Sequence, residues 1–539
     1  MGGVRRFRDF AESTRSLRRA FTGIGTVTGV CRVRVEWLVA QAGFCIVRAS
    51  LRRLCPNHWC WNSMVFSSPV FLFAFLPATT LLLALVRSQR LQNGWLLLMS
   101  ALFYLWGGGA AILVIAYVTV ASYGAGWVPW AALRKRDSPV AYRALLTTAI
   151  LALLLPLLLY KYIPPLVHLF PGGTSLADLA LPLGISFFTF HAVSYVVDVG
   201  QGKFAHERSP REYALYLFVF PHQIAGPIVR YSEIRAELHG FRDSSMQQLQ
   251  YGFVRFVWGL AKKVLVADPC GKLADSIFAV NASGGHLSTA DAWLGALLYT
   301  LQIYFDFSGY SDMAIGIALM LGFHFPENFR QPYRSISVTE FWRRWHMTLS
   351  RWFRDYVYIP LGGNRKGPVR GMVALLVVFT LTSLWHGAAL TFLIWGGLHS
   401  AMLVFERLTG VRKSTRLAHL RRIGTFLFIV VSWVPFRAGS LTEMRSFWTS
   451  MFGGGWSGLS PATLSGVTPF VVLALAIGCL SLVGPRRLTG FETIFVPRAT
   501  VEPHDLRRWI ALPVSVLLFA ACAMAILWSN FSPFLYYRF

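Results

Sequence analysis

The sequence predicts an all-α integral membrane protein, a polytopic helical bundle of about 10–12 transmembrane helices with re-entrant and interfacial helices beside them. Three observations carry this reading. Of 539 residues, 55% are hydrophobic and 14% charged, against roughly 25% charged in an ordinary soluble domain. The hydrophobic residues gather into runs that recur at about the length of a bilayer crossing, roughly 20 residues. The basic residues fall in short stretches between those runs, not on one soluble face.

Taken in order, the candidate spans are 66–86, 94–105, 110–127, 144–160, 181–197, 213–228, 253–266, 293–323, 372–384, 390–404, 424–434, 469–482 and 510–528. Several are short or interrupted by Pro and Gly. Irregular backbone is tolerated at membrane depth only where protein or a watery cavity surrounds it, so the broken segments draw attention first.

The net charge of +27 suggests nucleic acid until its distribution is read. Basic residues cluster at 87–90, 134–136, 365–370, 412–422 and 486–508, whereas the loop 440–468 carries almost none. Excess Lys and Arg on short loops assigns those loops to the cytoplasm and 440–468 to the outside. The charge serves topology and anionic lipid headgroups, and no nucleic acid partner is expected because no soluble basic face is visible.

Residues 1–63 stand apart from the domain 64–539. They hold eleven Arg, no Lys and four of the seven Cys (Cys31, Cys45, Cys55 and Cys60), with no helical or strand period. Arg scattered throughout argues against a signal peptide. The expectation is a disordered extension or a mis-chosen start, with Met64 opening the membrane domain. Cys55 and Cys60 with His58 between them hint at a metal knuckle, but no second pair lies nearby, so no metal is expected.

Four segments interrupt the plain apolar pattern. Phe220-Pro221-His222-Gln223-Ile224-Ala225-Gly226-Pro227 breaks its own backbone hydrogen bonding and is either a kinked helix or a re-entrant loop. The segment 304–312 brings Asp306, Ser308 and Asp312 into an apolar run. Each carboxylate would cost roughly 3 kcal/mol or more at the bilayer centre unless paired or wet, which suits lining and support. The segment 339–356 has aromatic and apolar residues at 341, 345, 349, 352 and 356, a helical spacing, with Arg343, Arg344, Arg351 and Arg354 elsewhere round it. It predicts an amphipathic helix at the cytoplasmic interface, either an anchor or the mouth for a phosphate-bearing acyl donor. Within it, His346 suits support or chemistry. Last, Leu384-Trp385-His386-Gly387 places a histidine amid apolar sequence, where it is helix–helix glue or a proton carrier near neutrality.

The stretch 341–354, followed by Tyr358-Ile359-Pro360-Leu361-Gly362-Gly363-Asn364-Arg365 and by Leu384-Trp385-His386-Gly387, resembles the signature of the membrane-bound O-acyltransferases, in particular the alginate O-acetylase branch. So do 304–312, Pro326-Glu327-Asn328-Phe329-Arg330-Gln331-Pro332-Tyr333 and the opening Met64-Val65-Phe66-Ser67-Ser68-Pro69. The likeness runs from Met64 through about Leu408. It departs at Pro221-His222-Gln223-Ile224, where the family usually has Pro-Gln-Leu-Ile.

The resemblance implies a relay carrying acyl groups across the bacterial inner membrane. His386 would be the family's catalytic histidine, deep in the membrane, and His346 its second histidine, nearer the cytoplasm. The expected substrate-binding set is Asp306, Ser308, Asp312, Arg343, Arg344, Trp345, Asn364, Arg365 and Trp385. Acetyl-CoA or a related acyl donor enters as substrate, and no cofactor stays bound. The implied partners are the lipid bilayer, a separate periplasmic acetyltransferase-type protein, and a polysaccharide synthesis and export complex. Alginate is the expected acceptor, with cellulose, or teichoic acid D-alanylation, as alternatives. A polysaccharide or lipid transporter would also show broken helices, but it should show two similar halves, and no internal repeat is visible. His286 and Asp291 fit the HxxxxD spacing of glycerolipid acyltransferases, but they fall in a polar stretch expected outside the membrane.

Overall fold

The computed structural model describes residues 64–131, 139–167, 180–240, 245–411, 417–453, 458–483, 506–528 and 534–535. All belong to the unit Met64–Phe539. The Arg-rich extension 1–63 and the basic clusters at 134–136 and 486–505 lie outside the described residues.

The described chain is helical. A π-turn, Phe71–Phe75, leads into α1 (Leu76–Leu85), followed by α2 (Gln89–Gly108), α3 (Ile112–Gly126), α4 (Pro139–Val167), α5 (Ile185–Gln201), α6 (Pro210–Phe218) and α7 (Tyr231–His239). The central pair is α8 (Met246–Ala261) and α10 (Thr289–Met320), with α9 (Asp268–Ala282) between them in sequence. Two short helices, α11 (Val338–Trp342) and α12 (Met347–Phe353), precede α13 (Pro368–His386), α14 (Leu390–Thr409) and α15 (Ala418–Arg437). The chain closes with α16 (Leu441–Phe452), α17 (Pro461–Gly466), α18 (Pro469–Val483) and α19 (Leu506–Trp528). Ser245 and Ser288 start the central pair, each hydroxyl accepting from the backbone N–H three residues on, which satisfies a donor the helix itself cannot.

Among the described residues, four helical stretches are long and apolar enough to cross a membrane: Gln89–Gly126, Val140–Val167, Pro368–His386 and Ile510–Trp528. This is fewer than the expected spans, for a physical reason. Hydropathy marks helices that face lipid, and these four bury no more than 33% of their most apolar windows inside the protein. A helix enclosed by other helices can carry polar residues. Thus α5 is buried along nearly its whole length and includes Thr189, His191, Ser194 and Asp198. The loop expected over 440–468 instead contains α16 and α17.

Two features fix the central pair. Along α8, Gly252 and Gly259 face Gly316 and Gly309 of α10, running antiparallel. A Cβ on Gly259 would stand 2.6 Å from the Gly309 carbonyl, and one on Gly252 2.5 Å from that of Gly316. The two backbones therefore touch directly, as small residues permit inside membranes. Beside this seam lies a buried ion-pair group. Asp312 accepts from Arg255 at 2.6 Å and from Lys262 at 2.6 Å, Arg255 also reaches Glu327 at 2.7 Å, and Asp306 pairs with Lys263 at 2.7 Å.

The segment 339–356 is not one interfacial helix. Its helix ends at Trp342 and restarts at Met347, and between them His346 takes a left-handed backbone, φ +41°. That geometry is uncommon for a residue with a Cβ. It is enforced from outside, because Arg330 N–H donates to the Arg344 carbonyl and Met347 N–H to the Asn328 carbonyl, each at 2.9 Å. Phe341, Trp345, Leu349 and Trp352 are core residues, not headgroup anchors. Nor is 220–227 a kinked helix. After α6 it runs as a 3₁₀ turn and irregular backbone, fully buried, with Phe220 N–H donating to the Ser100 hydroxyl and Ile228 N–H to that of Thr348.

Replacing Gly259 by Val should force α8 from α10, because the opposing atom is backbone and cannot rotate away. Overpacking of this kind typically costs about 1–3 kcal/mol or more, so the detergent-solubilised variant should unfold at a clearly lower temperature than wild type; an unchanged midpoint would contradict the seam. Asp312→Ala should be more damaging still, since breaking a buried pair from one side costs about 3–5 kcal/mol. Immunoblots of membranes should show it depleted.

Candidate active site

Helix α13 ends on His386, so the imidazole sits where the helix leaves backbone carbonyls without intrahelical partners. Two side chains from α4 supply them. The Lys161 ammonium donates to the Trp385 carbonyl and the Tyr162 hydroxyl to that of Leu384. The Trp385 ring stacks on Phe190 at 5.5 Å, and Phe190 on Trp352 at 4.1 Å. His386 is buried, with 8% of the residue exposed. It lies against Trp385 (4.6 Å between centroids), Phe436 (4.8 Å), Trp395 (5.3 Å) and Phe392 (6.2 Å).

His346 is reached through a different set of contacts. Its ring stands edge-on to Phe307 at 4.7 Å, and its Nδ1 lies 3.0 Å from the Asn328 side-chain oxygen. Its Nε2 is buried and makes no hydrogen bond to a described residue. Both histidines line one chamber of about 10 Å³, walled by Phe307, Trp342, Trp345, Trp395, Trp433 and Phe436, with Ile303, Leu349 and Leu535 completing it. That volume holds about one water. Sequence distant by 40 positions is thus brought to one closed, apolar space.

A larger cavity of about 650 Å³ adjoins it. Trp342 and Leu349 line both spaces and form the partition. Apolar residues of α13 and α14 (Leu375, Val378, Phe379 and Leu403) line part of the large cavity, and Arg343, Arg351, Arg354 and Glu327 lie on its polar part. The arginines are not equivalent. Arg354 is committed to Asp355 at 2.6 Å, and Arg351 lies 3.5 Å from Glu233. Burial would raise the Asp355 carboxyl, but Arg354 and Arg230 beside it hold it below the usual carboxylate range. Arg343 is exposed, and no ion pair engages it among the described residues.

The partition residue Trp342 is itself fixed. Its indole N–H donates to Nδ1 of His399 at 3.2 Å, so His399 must carry its proton on Nε2, facing the Ser432 hydroxyl at 3.2 Å. The Ser432 hydroxyl in turn donates to the Ile429 carbonyl at 2.9 Å. Every role in this chain is set because an indole N–H can only donate and a carbonyl can only accept.

The residues expected from sequence divide accordingly. His386, His346 and Trp345 meet at the chamber, Trp385 packs under His386, and Arg343 lies on the large cavity. The others are placed elsewhere. Asp306 and Asp312 are saturated by Lys263, Lys262 and Arg255, and Asp306 also accepts from Leu535 N–H at 2.9 Å. They line neither cavity, because a buried carboxylate is stable only with its cations. Ser308 is buried away from both spaces. Arg344 pairs with Glu340 at 2.6 Å. Asn364 is exposed and accepts from the Tyr358 hydroxyl at 2.8 Å, and Arg365 is exposed beside it.

Sequence reasoning missed Lys161, Tyr162, His399 and the partition residue Trp342. Lys161 gave a signal: it is a lone ammonium at the end of the apolar run 144–160. His399 looked like one polar position in an apolar helix, with nothing in sequence to tie it to Trp342.

Comparison with known proteins agrees with this architecture. Residues 96–447 match the model of the membrane-bound O-acyltransferase family. The probable alginate O-acetylase of Pseudomonas aeruginosa is 37% identical over 532 residues, covering 88% of this chain and 100% of that protein. A peptidoglycan O-acetyltransferase of Helicobacter pylori is 35% identical over 72% of this chain and 80% of its own. A teichoic acid D-alanyltransferase of Bacillus subtilis is 30% identical over 47% and 66%, respectively. With the family model spanning well over half of its length, the chain belongs to the membrane-bound O-acyltransferase family, and it is a multi-pass membrane O-acyltransferase.

Proposed function

We propose that this chain takes an acetyl group from a cytoplasmic thioester, acetyl-CoA or a related donor, and passes it across the bacterial inner membrane for O-acetylation of an exopolysaccharide, with alginate as the polymer. The observation that carries the reading is the shared chamber: His386 and His346 line one closed space, separated by Trp342 and Leu349 from a cavity that presents arginines. Phosphates of the donor suit Arg343 on that cavity. A chamber this small, walled by aromatic rings, leaves no room for a fatty chain, which is consistent with a short acyl group. Relatives at 37–39% identity are named for alginate, which supports alginate as the acceptor.

In this mechanism His386 takes the proton of an acceptor hydroxyl, whose oxygen then attacks the thioester carbonyl. The C–S bond breaks, the new C–O ester remains, and the proton returns to the leaving thiolate. The aromatic walls exclude the water that would otherwise hydrolyse the thioester. The acceptor hydroxyl comes from a separate periplasmic acetyltransferase-type protein, working with the polysaccharide synthesis and export complex.

His386→Gln keeps a hydrogen-bonding side chain but cannot exchange a proton near neutral pH. It should lower O-acetylation about 10²–10⁴-fold with unchanged membrane abundance, read as O-acetyl content of exported polymer beside an immunoblot. Near-normal acetylation would overturn the mechanism. Purified protein given only acetyl-CoA and polysaccharide should form no ester, and efficient transfer there would remove the need for a partner. Arg343→Ala should raise the donor KM several-fold while sparing kcat. Because exposed charges are screened within about 10 Å at 0.1 M salt, the difference from wild type should shrink as salt is added.

A further inference from the structure

Asn328 lies in the strap 326–331 and is fully buried. Its side-chain oxygen accepts from the Thr348 hydroxyl at 2.9 Å and, more distantly, from Thr348 N–H at 3.4 Å. Its side-chain nitrogen donates to the Ser311 hydroxyl at 3.0 Å and to the Gly226 carbonyl at 3.4 Å. A backbone N–H can only donate and a carbonyl can only accept, so these two contacts fix which end of the amide is oxygen.

The consequence falls on His346. Its Nδ1 faces that same oxygen at 3.0 Å and must therefore carry the proton. In the neutral ring Nε2 is then the free lone pair, and it is the nitrogen left without a hydrogen bond among the described residues, on a ring that lines the chamber. Backbone contacts reinforce the grip: the Asn328 carbonyl accepts from Met347 N–H, next to the left-handed turn at His346. Thr348, which shares the Asn328 oxygen, also holds Ile228 of the irregular segment after α6.

We propose that Asn328 is a positioning residue for acyl transfer: it locks His346 as the Nδ1–H tautomer and presents Nε2 to the chamber as the acceptor through which the proton taken by His386 passes on to the leaving thiolate. This rests on the acetyl-transfer reading above. A merely structural amide would satisfy the same hydrogen bonds without setting the chemistry of the ring, and the two roles separate in pH dependence and in coupling to His346.

The experiment uses membranes from cells producing the full chain with its native partners, supplied with acetyl-CoA, and follows initial O-acetylation of the polymer against pH. Asn328→Asp keeps the acceptor for His346 but makes it a carboxylate, which stabilises the protonated imidazole. Since His346 must be neutral to accept a proton, the acid limb should move to higher pH by about one unit or more. In a His346→Gln background the same substitution should leave the profile unmoved. Asn328→Ala removes the acceptor; it should lower kcat at least tenfold with donor KM unchanged, yet cost little further when His346 is already Gln.

An unmoved acid limb in Asn328→Asp, or an equal loss from Asn328→Ala in both backgrounds, overturns the proposal. Variants that cannot be recovered in membranes at wild-type abundance also count against it, because that is the result a purely structural role gives. Should His386→Gln remain active, the transfer mechanism fails first; an unmoved profile with His386→Gln inactive rejects only the role of Asn328.

Discussion

Inside this bundle, polar groups must find their partners within the protein, and the rest of the structure follows from that constraint. Water is scarce at membrane depth, and an unsatisfied backbone group there costs several kcal/mol. Regular helices meet the demand automatically, whereas the irregular stretches 219–230, 326–331 and 343–347 cannot. They meet it by pairing with one another: Ile228 on Thr348, Gly226 on Asn328, Arg330 on Arg344 and Met347 on Asn328. Three breaks in helical regularity thus become one hydrogen-bonded unit that contains the buried His346.

The same constraint treats the two histidines differently. His346 is held at Nδ1 by a side-chain oxygen that is itself fixed from several directions. His386 is surrounded by aromatic rings, and its position comes from the backbone: Lys161 and Tyr162 hold the carbonyls of the two residues before it. One imidazole is thereby fixed in its tautomer, while the other is fixed in place and makes no hydrogen bond among the described residues. A group that must take a proton and give it back gains from that freedom, since no hydrogen bond has to break at each transfer. This favours His386 as the proton carrier and His346 as the oriented second base.

Much of this was legible in the sequence, and the failures share a cause. Apolar runs marked the lipid-facing helices, and an apolar context singled out His386, because both signals are local. The spacing of 341, 345, 349, 352 and 356 was equally regular but misled. A helical period is also what a core presents, and the break at His346 is imposed by Asn328 and Arg330, 18 and 16 positions before it. Asp306 and Asp312 were read as lining and support that must be paired or wet; their cations, Lys263, Lys262 and Arg255, lie on a different helical stretch, and sequence does not reveal which residues pair with them. The glycine seam between α8 and α10 likewise depends on two helices being neighbours, which no single-helix pattern contains.

The partition between the two cavities joins packing to chemistry. On the proposed route, an acyl group entering from the arginine side would meet Trp342 and Leu349, which line both spaces, before either histidine. Leu349 sits on α12, whose start is set by the turn at His346, and Trp342 ends α11, whose indole is held by His399 and Ser432. The wall and His346 behind it are therefore built from the same short stretch, 342–349, whereas His386 comes from the end of α13. A continuous interfacial helix over these residues would have turned Trp345 and His346 toward headgroups and left no partition. The strained backbone at His346 is the local cost of that arrangement, of order 1–3 kcal/mol for a residue held in a sparsely populated region. It is sustained because the strap carrying Asn328 hydrogen-bonds to both sides of the turn.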